Sequence, residues 1–245
     1  MSYRLNLLYL MAICLIVLLL TGCATRIGGP NSGAGQERID NVPMYGQPEI
    51  ERPEFWKRAD DDFIKNAVGL FKGDREKASK AWAQEANNYF MKGDLDYAMR
   101  RYNQSWLLNE NNYQPYWGFG QVMIMRGNSD EAIKYYERAK TLINDDYQKP
   151  ALLTDLGIAY SRKAKDITND QELRSKYFAL ANNYFRQSSE MDNTYATVWE
   201  VWANSLYHEG RYKECWEKVK KADSMGTRIN PKFREKLNQT MPEPK

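Results

Sequence analysis

The stretch from Trp82 to Asn109 constrains the fold of this chain more than any other part of the sequence. Small or apolar residues recur at helical spacing before and after the pair Gly93-Asp94, a pattern that predicts two amphipathic helices joined by a tight turn. Neither helix can bury its apolar stripe alone, and the pair therefore requires stacked copies of itself.

Such copies recur along the chain. A small residue early in each predicted second helix marks four units, at Ala98, Ala132, Ala181 and Cys215. The first two marks lie 34 residues apart, and so do the last two, whereas 49 residues separate the middle pair. Most of the excess falls in a polar stretch between Arg162 and about Tyr177, which predicts a longer third hairpin.

The pattern resembles the tetratricopeptide repeat (TPR), a helical hairpin with the same period. Glycine-containing turns at Gly93, Gly127 and Gly210 carry the resemblance together with small and large residues at the packing positions of the helices. The resemblance covers residues 79–228 and implies an all-α fold, a TPR-type helical-hairpin solenoid of about four repeats.

Two further segments flank the repeats. Pro53 is suited to the first turn of a helix, and residues 53–78 predict a preceding helix and lead-in. Residues 229–245 predict a short capping helix and tail, because such arrays need a polar outer face at their ends.

The N-terminus has the pattern of an export signal. Arg4 precedes an almost unbroken apolar run, and residues 1–22 therefore resemble a bacterial lipoprotein signal peptide that ends just before Cys23. The sequence Leu-Thr-Gly-Cys at its end resembles the lipobox, in which the cysteine thiol is acylated after cleavage. A plain signal peptide and an uncleaved anchor helix are the alternatives, but both leave Cys23 unexplained.

The resemblance to lipoproteins implies a location as well as an anchor. Acyl chains on Cys23 would hold the protein to a membrane of the bacterial cell envelope. Ala24 follows the cysteine, and the absence of Asp there resembles lipoproteins of the outer membrane that face the periplasm, if the cell has two membranes.

Residues 23–52 comprise the lipidated cysteine and a segment rich in glycine and proline without a periodic apolar pattern. This composition predicts a flexible tether that lets the folded part stand away from the bilayer. The alternative is a docking peptide around residues 42–45.

Composition argues against several classes of function. Lys and Arg number 35 against 32 acidic residues, without a basic block, which argues against a nucleic-acid-binding protein. With one histidine and three cysteines the sequence predicts no metal site and no cofactor. Gly118 and Gly120 fall inside a predicted helix and indicate close packing rather than a phosphate-binding loop.

Cys215 is the one candidate for chemistry. It occupies the small-residue position where the other repeats carry alanine, and a buried packing role is the simpler interpretation. The alternative is a redox or catalytic thiol activated by His208, the only histidine. No third group completes such an arrangement, and the sequence predicts a protein that is not an enzyme.

The resemblance assigns candidate binding residues. In TPR proteins the first helix of each repeat lines a concave groove, and aromatic, methionine and amide side chains there suit a protein or peptide partner with apolar anchors. By position, the candidates are Asn87, Phe90, Met91, Trp117, Gln121, Ile124, Met125, Thr154, Ile158, Arg162, Glu200, Asn204, Tyr207 and His208.

Together these features indicate a membrane-anchored protein-protein interaction platform or assembly factor of the cell envelope. Lipid-anchored TPR proteins with such roles include pilotins, subunits that assist outer-membrane-protein insertion, and adaptors for cell-wall enzymes. The alternatives are a structural protein that self-associates as a homo-oligomer and an enzyme that acts on the cell wall or on thiols.

Overall fold

The computed structural model describes residues 38–244. The predicted signal peptide, Cys23 and the first part of the predicted tether lie outside these residues. Within them the regular secondary structure is helical, and the ten α-helices are α1 Glu54–Leu70, α2 Arg75–Met91, α3 Leu95–Leu108, α4 Tyr113–Met125, α5 Ser129–Leu142, α6 Lys149–Asp166, α7 Gln171–Met191, α8 Thr197–Glu209, α9 Tyr212–Ser224 and α10 Pro231–Thr240. In residues 38–244, none of these helices combines the length and the apolar character needed to span a bilayer.

Four helical hairpins form the body of this part of the chain. Helix α2 packs against α3, α4 against α5, α6 against α7 and α8 against α9, while successive hairpins also contact each other. Helix α1 precedes the first hairpin, and α10 follows the last. The predicted all-α hairpin solenoid, with its preceding and capping helices, is therefore confirmed.

Local sequence explains where the helices begin. Gly93 has φ 78°, a left-handed conformation that glycine adopts without a steric cost, and it ends the first hairpin's opening helix. The side chain of Asp94 then accepts a hydrogen bond from the backbone N–H of Tyr97 and caps α3. Asn128 caps α5 in the same way through the N–H of Glu131, so the turn chemistry recurs with the repeat.

Small residues let the helices approach closely, as the sequence predicts for Gly118 and Gly120. A Cβ atom at Gly118 would lie 2.1 Å from the Tyr102 ring of α3, and one at Gly120 would lie 2.3 Å from the Tyr136 ring of α5. Both distances are far inside van der Waals contact. The two glycines therefore seat aromatic rings on either side of α4.

The third hairpin is longer than the second, as the polar stretch predicts. Helices α6 and α7 have 18 and 21 residues, whereas α4 and α5 have 13 and 14. The connection between α6 and α7 is short, so the extra residues extend the helices instead of forming a long loop.

Residues 38–52, here called the N-terminal strap, differ from the prediction of a flexible tether. They form two short 3₁₀ turns, Ile39–Asn41 and Pro43–Gly46, and Tyr45 is only 8% exposed. The side-chain amide of Asn103 in α3 donates hydrogen bonds to the carbonyl oxygens of Asp40 and Val42, at 3.2 and 2.8 Å. The tether prediction is wrong for this part of the chain.

The strap is held in place by contacts of three side chains, Tyr45, Arg52 and Asp60. Composition alone does not predict such contacts. Tyr45 joins the core of the first two hairpins, and the Arg52 guanidinium lies 4.1 Å from the centre of its ring. Arg52 also forms an ion pair with Asp60 of α1 at 2.6 Å. The residues read as a docking peptide therefore dock on their own chain.

Candidate protein-binding groove

A groove with a volume of about 630 Å³ lies toward the C-terminal end of the repeats. Its walls come from α6, α8 and the start of α10, with the α4–α5 turn at one edge. Four candidates from the sequence meet there: Ile158, Arg162, Glu200 and Asn204. We call this surface the C-terminal groove.

The sequence did not predict several other residues that line this groove. Lys165 and Asp166 come from the extended end of α6, while Asn230 and Phe233 come from the capping helix. The helical periodicity after Pro231 predicts α10 itself, but no local signal shows that α10 turns back to close one end of the groove.

Arg162 is oriented by the backbone of a neighbouring hairpin. One of its guanidinium N–H groups donates to the carbonyl oxygen of Ile124 at 3.1 Å. Asn204 is exposed on α8 and also lines the groove. The groove thus combines an oriented cation, an amide and the aliphatic side chain of Ile158.

Candidates on α4 are engaged within the protein. The indole N–H of Trp117 donates to Oδ2 of Asp155 at 2.7 Å, and the Gln121 amide donates to the same oxygen at 3.3 Å. Burial raises the pKa of the Asp155 carboxyl, although these hydrogen bonds act in the opposite direction. Trp117 and Gln121 therefore tie α4 to α6.

Three further candidates belong to the packing of the hairpins. Thr154 is 1% exposed, and its hydroxyl lies 2.9 Å from that of Ser188 in α7. Ile124 is buried, and the Asn87 side chain accepts a hydrogen bond from the Tyr102 hydroxyl at 2.5 Å. Thr154 and Ile124 present almost no side-chain surface to a partner, which corrects their expected place in the groove.

The remaining candidates lie in two parts of the solenoid, the first two hairpins and the last one. Met91 and Met125 are exposed where α2 and α4 end, and Phe90 packs partly against the core. In the last hairpin, the Tyr207 ring meets Phe233 edge-on at 5.6 Å between centres. The structure does not bring these two sets together.

His208 follows Asn204 by one helical turn on α8. Burial lowers the pKa of its imidazole, and Lys165, Lys236 and Arg174 lower it further. Its neutral form is therefore favoured at physiological pH.

Cys215 is fully buried in α9, and its Sγ donates to the carbonyl oxygen of Ala203 at 3.1 Å. Burial raises the pKa of this thiol to about 12, so the reactive thiolate is disfavoured. These facts favour the packing interpretation over the catalytic one. Across residues 38–244, no three His, Cys, Asp or Glu side chains are grouped as metal ligands.

Comparisons with known proteins bear on the fold of this chain. No family model matches the sequence, and no curated protein matches it. PilF of Pseudomonas aeruginosa is similar in structure, with a TM-score of 0.50, 18% identity, and coverage of 76% of this chain and 86% of that chain. PilF contains tetratricopeptide repeats. The fold is of the TPR type.

A second TPR-containing structure, MamA, has a TM-score of 0.48 and 17% identity, with coverage of 76% of this chain and 99% of that chain. At such identities the likeness to PilF supports the fold alone. The function must therefore be argued from the surfaces of the TPR-type solenoid.

Proposed function

We propose that this protein is a membrane-anchored lipoprotein of the bacterial cell envelope whose TPR-type solenoid binds a protein partner. In this role it is a non-enzymatic platform or assembly factor, and the C-terminal groove is its binding surface. The observation that carries the proposal is the open groove between α6, α8 and α10.

The chemistry of the groove suits a peptide or the edge of a partner protein. Ile158, Val201 and Phe233 offer apolar contacts, while the amides of Asn204 and Asn230 can pair with a partner's backbone. A few polar groups set among apolar ones orient a ligand and give specificity. The buried, protonated thiol of Cys215 supports a binding role rather than thiol chemistry.

Membrane anchoring through Cys23 is the second part of the proposal. It is supported by the basic start, the apolar run and the lipobox-like end of residues 1–22. We expect Cys23→Ala to abolish incorporation of labelled palmitate and to release the protein from the membrane fraction. Membrane retention of the variant, with no palmitate label in either protein, would contradict the lipid anchor and leave an uncleaved helix as the explanation.

Photocrosslinking in cells tests the groove. A photoreactive residue at Asn204 should capture one recurrent protein, because Asn204 is exposed and lines the groove. The control position is Tyr147, which is 89% exposed and does not line the groove. Equal capture at both positions, or none at Asn204, would contradict the proposal. An adduct made of two copies of the chain would favour self-association.

A further inference from the structure

Basic side chains from three helices surround one end of the C-terminal groove. Arg162 and Lys165 of α6 line it directly. Arg174 of α7 donates to the carbonyl oxygen of His208 at 2.7 Å, and Nζ of Lys236 in α10 lies 5.0 Å from the centre of the neighbouring Tyr207 ring. Positive charge therefore converges on the part of the groove where α6, α8 and α10 meet.

Within the described part of the chain, these cations form no ion pair with an acidic residue. In residues 38–244, no carboxylate oxygen lies within 4.0 Å of the charged nitrogens of Arg162, Lys165, Arg174 or Lys236. Nearby cations behave differently, since Lys163 pairs with Asp130. Among the described residues, ion pairs do form close to the groove, but the four basic side chains at its end take no part in them.

The two guanidinium groups are nevertheless held in place. Arg162 donates to the carbonyl oxygen of Ile124, and Arg174 donates to that of His208 at 2.7 Å. A neutral carbonyl orients a guanidinium without cancelling its charge, and the remaining N–H groups stay available for a carboxylate.

The acidic residues of the groove are placed unequally. Glu200 lies eight residues before His208 on α8, which is about 12 Å along the helix axis. Asp166 is the one carboxylate among the groove-lining residues at the basic end, where it follows Lys165. On the groove wall itself two cations, Arg162 and Lys165, face two carboxylates, Asp166 and Glu200. Arg174 and Lys236 add positive charge beside the C-terminal end of α8, away from Glu200.

We propose that the basic end of the C-terminal groove binds an acidic segment of the partner protein. Carboxylate side chains of that segment pair with Arg162, Lys165 and Lys236, and a neighbouring apolar side chain packs on Phe233. This inference rests on the proposed function and names the chemistry of its partner. Charge complementarity of this kind sets orientation and association rate as well as affinity.

Binding of a fluorescent hexaglutamate peptide to the full-length protein tests the inference directly. We expect the double change Lys165→Glu with Lys236→Glu to weaken binding by roughly tenfold or more, since it reverses two charges that meet the peptide. The control pair, Lys65→Glu with Lys72→Glu, makes the same change in net charge on exposed residues at the other end of the chain. The control pair should stay within about twofold of the parent protein.

The outcomes separate this inference from the proposed function. Equal loss in both pairs, or no loss in either, would overturn the acidic partner. A third outcome is that the Lys165→Glu, Lys236→Glu variant binds the protein captured at Asn204 as strongly as the parent does. The proposed function would then stand, and the acidic-partner inference would be wrong. Hexaglutamate binding that depends on Lys165 and Lys236, without any capture at Asn204, would contradict the proposed platform and leave a site for anions. Circular dichroism and urea unfolding check that each variant is folded.

Discussion

The first and second halves of the solenoid use the same helical hairpin but treat their polar side chains differently. In the first half, Trp117 and Gln121 donate to Asp155, and Arg126 donates to the carbonyl oxygen of Asn41 in the strap. In the second half, Arg162 and Asn204 line an open groove. A repeat architecture therefore does not give equivalent surfaces: Trp117 and Gln121 are engaged by Asp155, whereas Arg162 also lines the open groove.

The largest predicted effect is a loss of stability when the contact between the strap and the first half of the solenoid is removed. We expect Tyr45→Ala to lower the free energy of unfolding by about 3 kcal/mol, because it removes a buried aromatic ring from the core of the first two hairpins. Urea unfolding measures the change, and hydrogen exchange should show loss of protection in residues 38–52. The matched control, Tyr147→Ala, removes an exposed ring and should cost less than about 0.5 kcal/mol. Equal costs would mean that the strap does not brace this half.

The link between α4 and α6 should give the next largest effect. Trp117→Phe removes the N–H donor to Asp155 and leaves that half-buried carboxyl with one fewer hydrogen bond. We expect a loss of about 1–2 kcal/mol in thermal or urea unfolding. Trp56→Phe is the control, since Trp56 is partly exposed on α1. A smaller loss at Trp117 than at Trp56 would contradict the role assigned to this contact.

Substitution of two arginines, one in each half, tests whether the first half mainly supports stability and the second half mainly supports binding. We expect Arg162→Ala to weaken partner binding by about tenfold, or 1.4 kcal/mol, and to cause the smaller of the two losses in unfolding free energy, because Arg162 gives up one hydrogen bond to Ile124. Arg126→Ala should do the reverse, because Arg126 contacts the strap and pairs with Asp96 at 3.2 Å. Titration of the captured partner and urea unfolding measure the two effects. The comparison between the halves would fail if the two variants behaved alike.

The smallest effect is a dependence on pH. Because burial raises the pKa of Asp155 above its usual 3.8, protonation of its carboxyl favours the folded state. Stability from this group is fully present below the unfolded pKa and is lost as pH rises through the folded pKa. Relative to Asp155→Asn, the parent protein should therefore gain stability on acidification from pH 7 toward about pH 4. A parallel pH profile for both proteins would contradict this assignment.

Periodicity made the hairpins predictable from the sequence, because a stripe of small and apolar residues has to be buried wherever it occurs. The extra residues of the third hairpin were predictable for a different reason, since 49 residues instead of 34 separate Ala132 from Ala181. The N-terminal strap was not, because its proline and glycine content resembles that of a flexible linker. Its docking depends on Asn103 and Arg126, which lie far from it in the sequence.

The groove was predictable only in part. Helical register indicates which side of a helix a residue occupies, and the candidates Ile158, Arg162 and Asn204 do line the C-terminal groove. Their role in binding stays a prediction. Register does not show which polar group meets a partner within the chain, as Thr154 does with Ser188. Such pairings join residues in different helices and depend on the packed structure.

The strap also affects how the folded chain responds to tension applied at its N-terminal side. Tension applied at Arg38 reaches the contacts of Asn41 and Val42 with α3 and α4 before it reaches α1. We expect the strap to detach first under such tension, before the hairpins open. Release of its 15 residues would free a contour length of about 50 Å, and single-molecule extension would detect it as a separate first step.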